Sequence, residues 1–267
     1  MKTFGKIFKV NMLEELQYKG SYISGIICQF AFGFMYIFLY LAFFESGVPQ
    51  NFDAVQMTSY VWLGQAFFAM FSYSDLNKND ITHPIINGNV SYQLIKPVNL
   101  YDLWFSQVLS KGISKTIVRS IPLLIITMLI PSGYGLSLPA TLLNFALFIV
   151  ALVLGCLLMT AIKMFAYLFT LYTLDAKGVF AMIYAIFGFL GGAIIPIPLL
   201  PQTIQNILNF MPFRYVSDLA FRAYIGNLDI TTILWQIGVQ VAWILGLVIL
   251  GRILLTKKSQ KLVVQGG

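Results

Sequence analysis

Residues 140–162 read ATLLNFALFIVALVLGCLLMTAI, a run without one charged side chain. Roughly 20 apolar residues in a helix are enough to cross about 30 Å of bilayer hydrocarbon, so this run predicts a membrane-spanning helix. The whole chain has the same character, because 58% of its 267 residues are hydrophobic and only 10% are charged. Soluble domains carry about 25% charged residues, and a soluble fold of this length leaves much of its surface in water. A soluble enzyme or soluble binding domain is therefore excluded.

The same criterion finds further spans on both sides of this run. Two long charge-free stretches, 120–162 and 178–213, are each divided by helix-breaking residues. The breakers are Pro131, Gly133, Gly135 and Pro139 in the first stretch and Pro196, Pro198 and Pro201 in the second. The predicted spans are 20–44, 54–74, 112–130, 140–162, 178–195 and 230–251. The sequence thus predicts an all-α membrane protein with six transmembrane helices, organised as one transmembrane domain over residues 1–267.

The distribution of Lys and Arg predicts the orientation of these spans. When the N-terminus is placed in the cytoplasm, only Arg214 and Arg222 of the 17 basic residues fall on the outer side. Cytoplasmic segments of membrane proteins carry an excess of basic residues, so both termini are predicted to be cytoplasmic. The formal net charge of +7 is then explained by the anionic lipids of the inner leaflet and not by a nucleic-acid partner.

Residues 1–19 are predicted to form an amphipathic helix on the cytoplasmic surface. Apolar residues share one half of the helix and basic residues lie opposite. The apolar set is Phe4, Ile7, Phe8, Met12 and Leu16, and the basic set is Lys2, Lys6 and Lys9. Asn11 and Glu15 fall on the apolar half, which leaves a frayed basic tail as the alternative.

The connector between the second and third predicted spans is unusually long. Residues 75–105 read DLNKNDITHPIINGNVSYQLIKPVNLYDLWF and mix charged residues with apolar ones such as Ile81, Ile85 and Leu94. Connectors of this length are uncommon unless they have a function. A short cytoplasmic helix that docks on another protein and a solvated loop are equally compatible with this composition.

Three basic residues, Lys111, Lys115 and Arg119, recur every four positions at the start of the third span. They form one stripe along a helix, and long basic side chains at a membrane boundary extend toward phosphate headgroups. The stripe is therefore predicted to contact lipid headgroups. A role in substrate entry is the alternative.

Residues 196–229 are predicted to form two short helices that enter the outer interface as a re-entrant hairpin. Pro201 opens the first helix and Pro212 ends it. The second helix, over 215–225, carries Asp218 and Arg222 four positions apart, which is the favourable order for an ion pair.

Several kinds of chemistry find no support in the sequence. His83 is the only histidine, no catalytic or metal-binding motif is present, and no phosphate-binding loop of the G-x-x-x-x-G-K-[ST] type occurs. All Asp and Glu residues map to loops or helix ends, which disfavours an ion-coupled carrier. The polar residues within spans are therefore predicted to form interhelical hydrogen bonds. These residues are Gln29, Gln65, Asn144, Gln236 and Gln240.

Two segments resemble the permease subunits of the type-2 ABC exporter family, in its small bacterial drug- and peptide-export branch. Residues 80–105 are similar to the family's first cytoplasmic loop, with an acidic residue before Ile81, an Asn-Gly turn and a Leu-x-Lys-Pro run. Residues 191–226, GGAIIPIPLLPQTIQNILNFMPFRYVSDLAFRAYIG, are similar to the glycine–proline end of the family's fifth helix and its outer re-entrant helices. Together with the N-terminal helix and six spans, the resemblance covers nearly the whole chain.

The resemblance implies roles for particular residues. A helix that couples the permease to an ATPase is implied for Asp80, Ile81, Ile85, Asn87, Gly88, Tyr92, Leu94, Lys96 and Pro97. An outer gate is implied for Gly191, Gly192, Pro196, Pro198, Pro201 and Pro212. Separate ABC ATPase subunits would hold ATP and Mg²⁺, so the chain itself would bind no cofactor and catalyse no reaction. A second permease chain, identical or paralogous, would complete the path in the bacterial plasma membrane.

The sequence therefore predicts the permease half of an ATP-driven exporter for an amphipathic or hydrophobic cargo, such as a drug, a peptide or a lipid-like molecule. The spans contain few polar groups, which disfavours a hydrophilic substrate. Export of a lipid-linked glycan and a non-transporting membrane scaffold are the alternatives.

Overall fold

A computed structural model describes residues 2–17, 19–45, 53–71, 81–90, 93, 98–131 and 133–259. Every regular element in this part of the chain is helical, which confirms the all-α prediction. The helices are α1 (Lys2–Gln17), α2 (Lys19–Glu45), α3 (Ala54–Ala66), α4 (Phe68–Phe71), α5 (Thr82–Ile86), α6 (Leu100–Met128), α7 (Leu142–Thr173), α8 (Ala176–Leu190), α9 (Gln202–Leu208), α10 (Asp218–Ile225) and α11 (Ile230–Ser259). Short 3-10 turns cover Ile197–Leu199 and Phe213–Val216.

Three stretches are long and apolar enough to cross a membrane. They are Tyr22–Phe44 within α2, and the whole of α7 and α11. Helix α8 is also apolar but shorter. The chain is therefore a membrane-embedded protein that crosses the bilayer more than once.

Helices α6, α7 and α11 extend well beyond the windows that predicted them, and α11 continues past residue 251 to Ser259. Helix α6 begins at Leu100, where the side chain of Asn99 accepts hydrogen bonds from the first backbone N–H groups. Helix α7 continues past Lys163, whose ammonium group donates to the carbonyl oxygen of Met70 at 3.1 Å. A charged side chain therefore does not end a helix here, because a carbonyl group near the end of α4 accepts its hydrogen bond.

Helix α7 forms the centre of the bundle. It packs against α5, α6, α8, α10 and α11, and Ala151, Leu158 and Met164 on its surface are fully buried. Because so many elements meet on this one helix, it fixes the relative positions of the segments on which function depends.

The predicted break between the third and fourth spans is confirmed. Helix α6 ends at Met128 and α7 begins at Leu142, after Thr141 caps its first turn. Helix α3 holds the connecting segment, since the indole N–H of Trp62 donates to the carbonyl oxygen of Tyr134 at 2.7 Å. The hydroxyl groups of Ser59 and Ser137 are also 2.7 Å apart.

The predicted N-terminal helix is present and packs along α6. The Asn11 side chain, which interrupts the apolar half of the helix, donates a hydrogen bond to the hydroxyl group of Ser110 at 2.9 Å. The polar side chain of Asn11 therefore forms a hydrogen bond within the protein. Leu16, assigned to the apolar half, is instead exposed.

The residues between α8 and α11, 191–229, are called the α8–α11 segment. Its two predicted short helices are present as α9 and α10, with a 3-10 turn at the start of the second. Backbone of this segment approaches α7 so closely that a Cβ atom at Gly155 would overlap the carbonyl oxygen of Val216. Gly226 has a φ of 71° and ends α10 in the left-handed conformation that glycine favours.

Two side chains from the long helices hold the α8–α11 segment in place. Gln240 donates to the carbonyl oxygens of Ala151 at 3.0 Å and Tyr215 at 2.7 Å. Asn144 donates to the carbonyl oxygen of Ala223 at 2.8 Å. The predicted role of polar residues in spans as interhelical hydrogen-bond donors is thus confirmed for Gln240 and Asn144.

Candidate functional site

A cavity of about 340 Å³ lies between α2, α3 and the bends that follow α8. We call it the α2–α3 cavity. Aromatic side chains form much of its wall, and the remaining lining includes backbone of the glycine–proline bends. The aromatic lining residues are Phe32, Tyr36, Tyr40, Tyr60, Phe68, Phe71 and Phe221. A cavity with this lining suits a ligand with an apolar or aromatic body.

The lining of the α2–α3 cavity also includes polar and charged side chains. Gln29 lines the cavity and is 5% exposed, yet neither atom of its side-chain amide has a hydrogen-bond partner. The interhelical hydrogen bond predicted for this residue is therefore absent from the described part of the chain. Arg119 also lines the cavity, and its Nε atom is buried without a partner.

The three basic residues of the predicted stripe on α6 have different surroundings. Lys111 is partly exposed, whereas Lys115 is 4% exposed. Arg119 lies against α2, since a Cβ atom at Gly25 would be 3.0 Å from its Nη1 atom. A shared headgroup-contacting role stays a prediction for all three, but Arg119 is the one that reaches a cavity.

The predicted gate residues lie where α8 leads into the α8–α11 segment. Gly192, with a φ of 79°, and Pro196 both line the α2–α3 cavity. The hydroxyl group of Ser217 donates to the carbonyl oxygen of Gly191 at 3.3 Å, and that of Tyr40 donates to Ile194 at 3.3 Å. The structure therefore brings the first half of the predicted gate to the cavity.

The remaining gate residues are farther along the segment. Pro198 is buried in the first 3-10 turn, and the exposed Pro201 precedes α9. Pro212 precedes the second 3-10 turn. None of these three prolines is among the residues that line the α2–α3 cavity, so they shape the segment and not the cavity wall.

A buried ion cluster holds the α8–α11 segment against α3. Arg214 Nε lies 3.1 Å from Asp218 Oδ2, and Arg222 Nη1 lies 3.9 Å from the same oxygen. The hydroxyl group of Tyr60 donates to Asp218 Oδ1 at 2.9 Å. The sequence predicted the Asp218–Arg222 pair but missed Arg214, the nearer partner. Its position four residues before Asp218 was the available signal.

A second, polar cavity of about 390 Å³ lies beside this ion cluster. Both arginines line it together with amide side chains, including Asn209, Asn227 and Gln236. Nearby, at the start of α11, the hydroxyl and backbone N–H groups of Thr232 donate to Asp229 and hold the pKa of its carboxyl group below the ordinary value.

The residues predicted to couple the permease to an ATPase include α5, which packs on α7. Ile81 and Ile85 are buried within the chain, so they anchor α5 and do not offer it an external contact. Asn87 and Gly88 are exposed, and Gly88 has a φ of 72°. The exposed apolar residue here is Ile86, at 47% exposure, which is not among the predicted coupling residues.

Five of the predicted coupling residues lie outside the described residues: Asp80, Tyr92, Leu94, Lys96 and Pro97. Between them, Gln93 is described, and its side-chain oxygen accepts a hydrogen bond from the indole N–H of Trp104 at 2.6 Å. This bond ties the connector to α6 close to the point where that helix begins.

Comparison with known families gives one match that covers most of the chain. A sequence profile described as ABC-2 family transporter protein matches residues 30–266. The chain belongs to the ABC-2 transporter family. It is therefore a permease subunit of an ABC transporter, a membrane transport component of a family that generally works with ABC ATPase partners. The matched region contains α5, the α8–α11 segment and most of the residues that line the α2–α3 cavity. Comparisons with curated proteins and with solved structures gave no match.

Proposed function

We propose that the chain is the permease subunit of an ATP-driven ABC exporter of the small bacterial drug- and peptide-export branch. It forms half of the translocation path, and a second permease chain, identical or paralogous, forms the other half. Separate ATPase subunits bind ATP and Mg²⁺ below it. The observation that carries this proposal is a short helix, α5, which is anchored by buried isoleucines and exposes Ile86 beside the core helix α7.

The proposed topology has six spans, in one domain over residues 1–267, with both termini in the cytoplasm of the bacterial plasma membrane. The spans are α2, α3 with α4, α6, α7, α8 and α11. Helix α6 has 29 residues and is about 44 Å long at 1.5 Å per residue, which supports a crossing despite its basic residues. Helix α8 has 15 residues, about 22 Å, and the bends after it complete the crossing.

In this topology the α8–α11 segment dips into the outer side of the membrane as a re-entrant hairpin and gates the outer mouth. Its proline-rich start lines the α2–α3 cavity at Pro196, which supports a gate at this point. The aromatic wall of the cavity supports an amphipathic or hydrophobic cargo.

Replacing the exposed Ile86 with aspartate tests the docking role of α5. We expect Ile86→Asp to lower co-purification of the ATPase and its stimulated ATP turnover at least about tenfold, because a charge in an apolar docking contact costs more than the contact provides. Co-expression with candidate ATPases, followed by affinity purification, measures both quantities. The melting temperature of the permease itself should stay unchanged, since Ile86 is exposed.

Two matched variants separate docking from folding. Ile86→Leu keeps an apolar side chain at the same position and should behave as the wild type. Ile85→Ala removes a buried side chain one residue away, so it should lower the melting temperature of the permease. Wild-type ATPase binding by Ile86→Asp would contradict docking through this face of α5.

A single cysteine tests the orientation of the α8–α11 segment. Phe210 follows α9 and is 81% exposed, so Phe210→Cys, in a chain whose native cysteines are replaced, should react with an impermeant maleimide in intact cells. Lys257→Cys, near the exposed end of α11, should react only after permeabilisation. The reverse pattern of labelling would overturn the proposed orientation.

The mass of the purified complex decides between this proposal and its alternatives. A complex with two permease chains and two ATPase subunits supports the exporter. A complex that lacks any ATPase supports a non-transporting scaffold. A lipid-linked glycan that co-purifies with the complete complex would identify a glycan exporter.

A further inference from the structure

The α2–α3 cavity contains a cationic group that no carboxylate of the described residues neutralises. Arg119 lines the cavity, and within the described part of the chain no carboxylate lies within ion-pair distance of it. Elsewhere in the protein the arginines of the α8–α11 segment share the carboxylate of Asp218. A guanidinium group that is partly buried without a counter-charge is costly, so an anion in the cavity would stabilise it.

A second polar residue, Gln29, lines the same cavity. Gln29 is 5% exposed, and both its amide nitrogen and its amide oxygen lack hydrogen-bond partners. An unpaired buried amide is costly, and the amide nitrogen of the fully buried Gln240 accordingly donates two hydrogen bonds. Gln29 is thus a buried donor for which the protein itself supplies no acceptor among the described residues.

The two groups lie along the same face of α2. The guanidinium of Arg119 contacts α2 at Gly25, where a Cβ atom would be 3.0 Å from Nη1. Gly25 and Gln29 are four residues apart on α2, so they are neighbours on one face of the helix. The absence of a side chain at Gly25 lets the guanidinium lie against the face of α2 that also carries Gln29.

The rest of the cavity suits an apolar body. Its other walls carry aromatic rings, including those of Phe32, Phe68 and Phe221. Aromatic walls alone also attract cations, but the uncompensated charge of Arg119 repels them. The preferred ligand therefore has one negatively charged group and an apolar portion.

We propose that the α2–α3 cavity binds an amphipathic anion, with its carboxylate or phosphate group on Arg119 and Gln29 and its apolar portion along the aromatic wall. The identification of this ligand as the transported cargo rests on the proposed function. Binding itself requires only the permease, so it is measured without any ATPase and can fail or succeed independently of the docking experiment.

The test uses the full chain in nanodiscs of phosphatidylcholine and a dansyl-labelled medium-chain fatty acid as the probe. We expect the acid to bind and its methyl ester and the corresponding amine to bind at least about tenfold more weakly, since charge-assisted hydrogen bonds are the strong ones. Arg119→Gln should weaken binding of the acid at least about tenfold. Lys111→Gln removes the same charge from the same helix at a residue that does not line the cavity, and it should leave the affinity unchanged.

Two further variants keep the proposal testable if Arg119→Gln does not fold. Gln29→Leu should weaken binding of the acid about threefold to tenfold, because the variant lacks the amide donor. Gly64 lines the cavity, and a Cβ atom there would meet nothing within 4 Å, so Gly64→Leu should obstruct the cavity without straining α3. Equal affinity for acid, ester and amine, or wild-type affinity in both Gln29→Leu and Gly64→Leu, would overturn the proposal.

Nanodiscs that contain phosphatidylglycerol distinguish the two sources of such an anion. If phosphatidylglycerol displaces the probe from the wild type, the site takes a lipid phosphate headgroup. If the probe stays bound, the site prefers a free amphipathic anion. Both results support the anion site and differ only in its occupant.

Discussion

Replacing Asp218 with asparagine is expected to lower the free energy of unfolding by about 3–5 kcal/mol, because it leaves buried guanidinium groups without a counter-charge. The side chain of Asp218 is fully buried, and those of Arg214 and Arg222 are 4% and 13% exposed. Asparagine has almost the same shape, so the effect comes from the lost charge. Unfolding in detergent, followed by the fluorescence of the four tryptophans, measures it.

The exposed ion pair between Asp102 and Arg252 provides the matched control. Both side chains are about half exposed, and exposed pairs contribute about 0–1 kcal/mol. Asp102→Asn should therefore change the unfolding free energy little. If Asp218→Asn lowered the unfolding free energy as little as Asp102→Asn, the cluster would not hold the α8–α11 segment.

Replacing Gly155 with alanine is expected to destabilise the protein by about 3 kcal/mol, the upper end for overpacking. The added Cβ atom would overlap the carbonyl oxygen of Val216. A backbone carbonyl cannot move aside as a flexible side chain does, so α7 and the second 3-10 turn would separate. The thermal midpoint and the fraction of monodisperse protein after extraction report this change.

Gly246 on α11 is the control for this variant. A Cβ atom there would meet nothing within 4 Å, and glycine is less favourable than alanine in a helix by about 1 kcal/mol. Gly246→Ala should therefore be neutral or slightly stabilising. An equal loss of stability in both variants would show that close approach at Gly155 is not the cause.

The positions of the long helices could be predicted from the sequence, but several of their ends could not. Apolar windows mark only the part of a helix that lies in hydrocarbon, and the structure continues helix α7 beyond Lys163 and begins α6 at Leu100. Window 54–74 reads as one helix, yet the chain turns at Phe67 between α3 and α4. No proline marks this turn, so composition gave no signal for it.

The residue types at the candidate sites could be predicted from the sequence, but the surroundings of each side chain could not. Isoleucines in the connector are compatible with a docking helix, but burial of Ile85 and exposure of Ile86 depend on how α5 packs against α7. The spacing of Arg119 indicates a stripe at the membrane boundary. Its place in the α2–α3 cavity depends on Gly25, which belongs to a different helix. The spacing of residues within one segment does not predict its contacts with distant parts of the chain.

The α8–α11 segment is fastened to three helices at once, to α3 through Tyr60, to α7 through Asn144 and to α11 through Gln240. Helix α2 meets it through a longer hydrogen bond, from Tyr40 to Ile194 at 3.3 Å. The hydrogen bonds to α3, α7 and α11 all end on residues 215–223, so moving that part of the segment would break bonds to three helices together. None of these three bonds involves residues 194–201, so the proline-rich start of the segment can be displaced without breaking them.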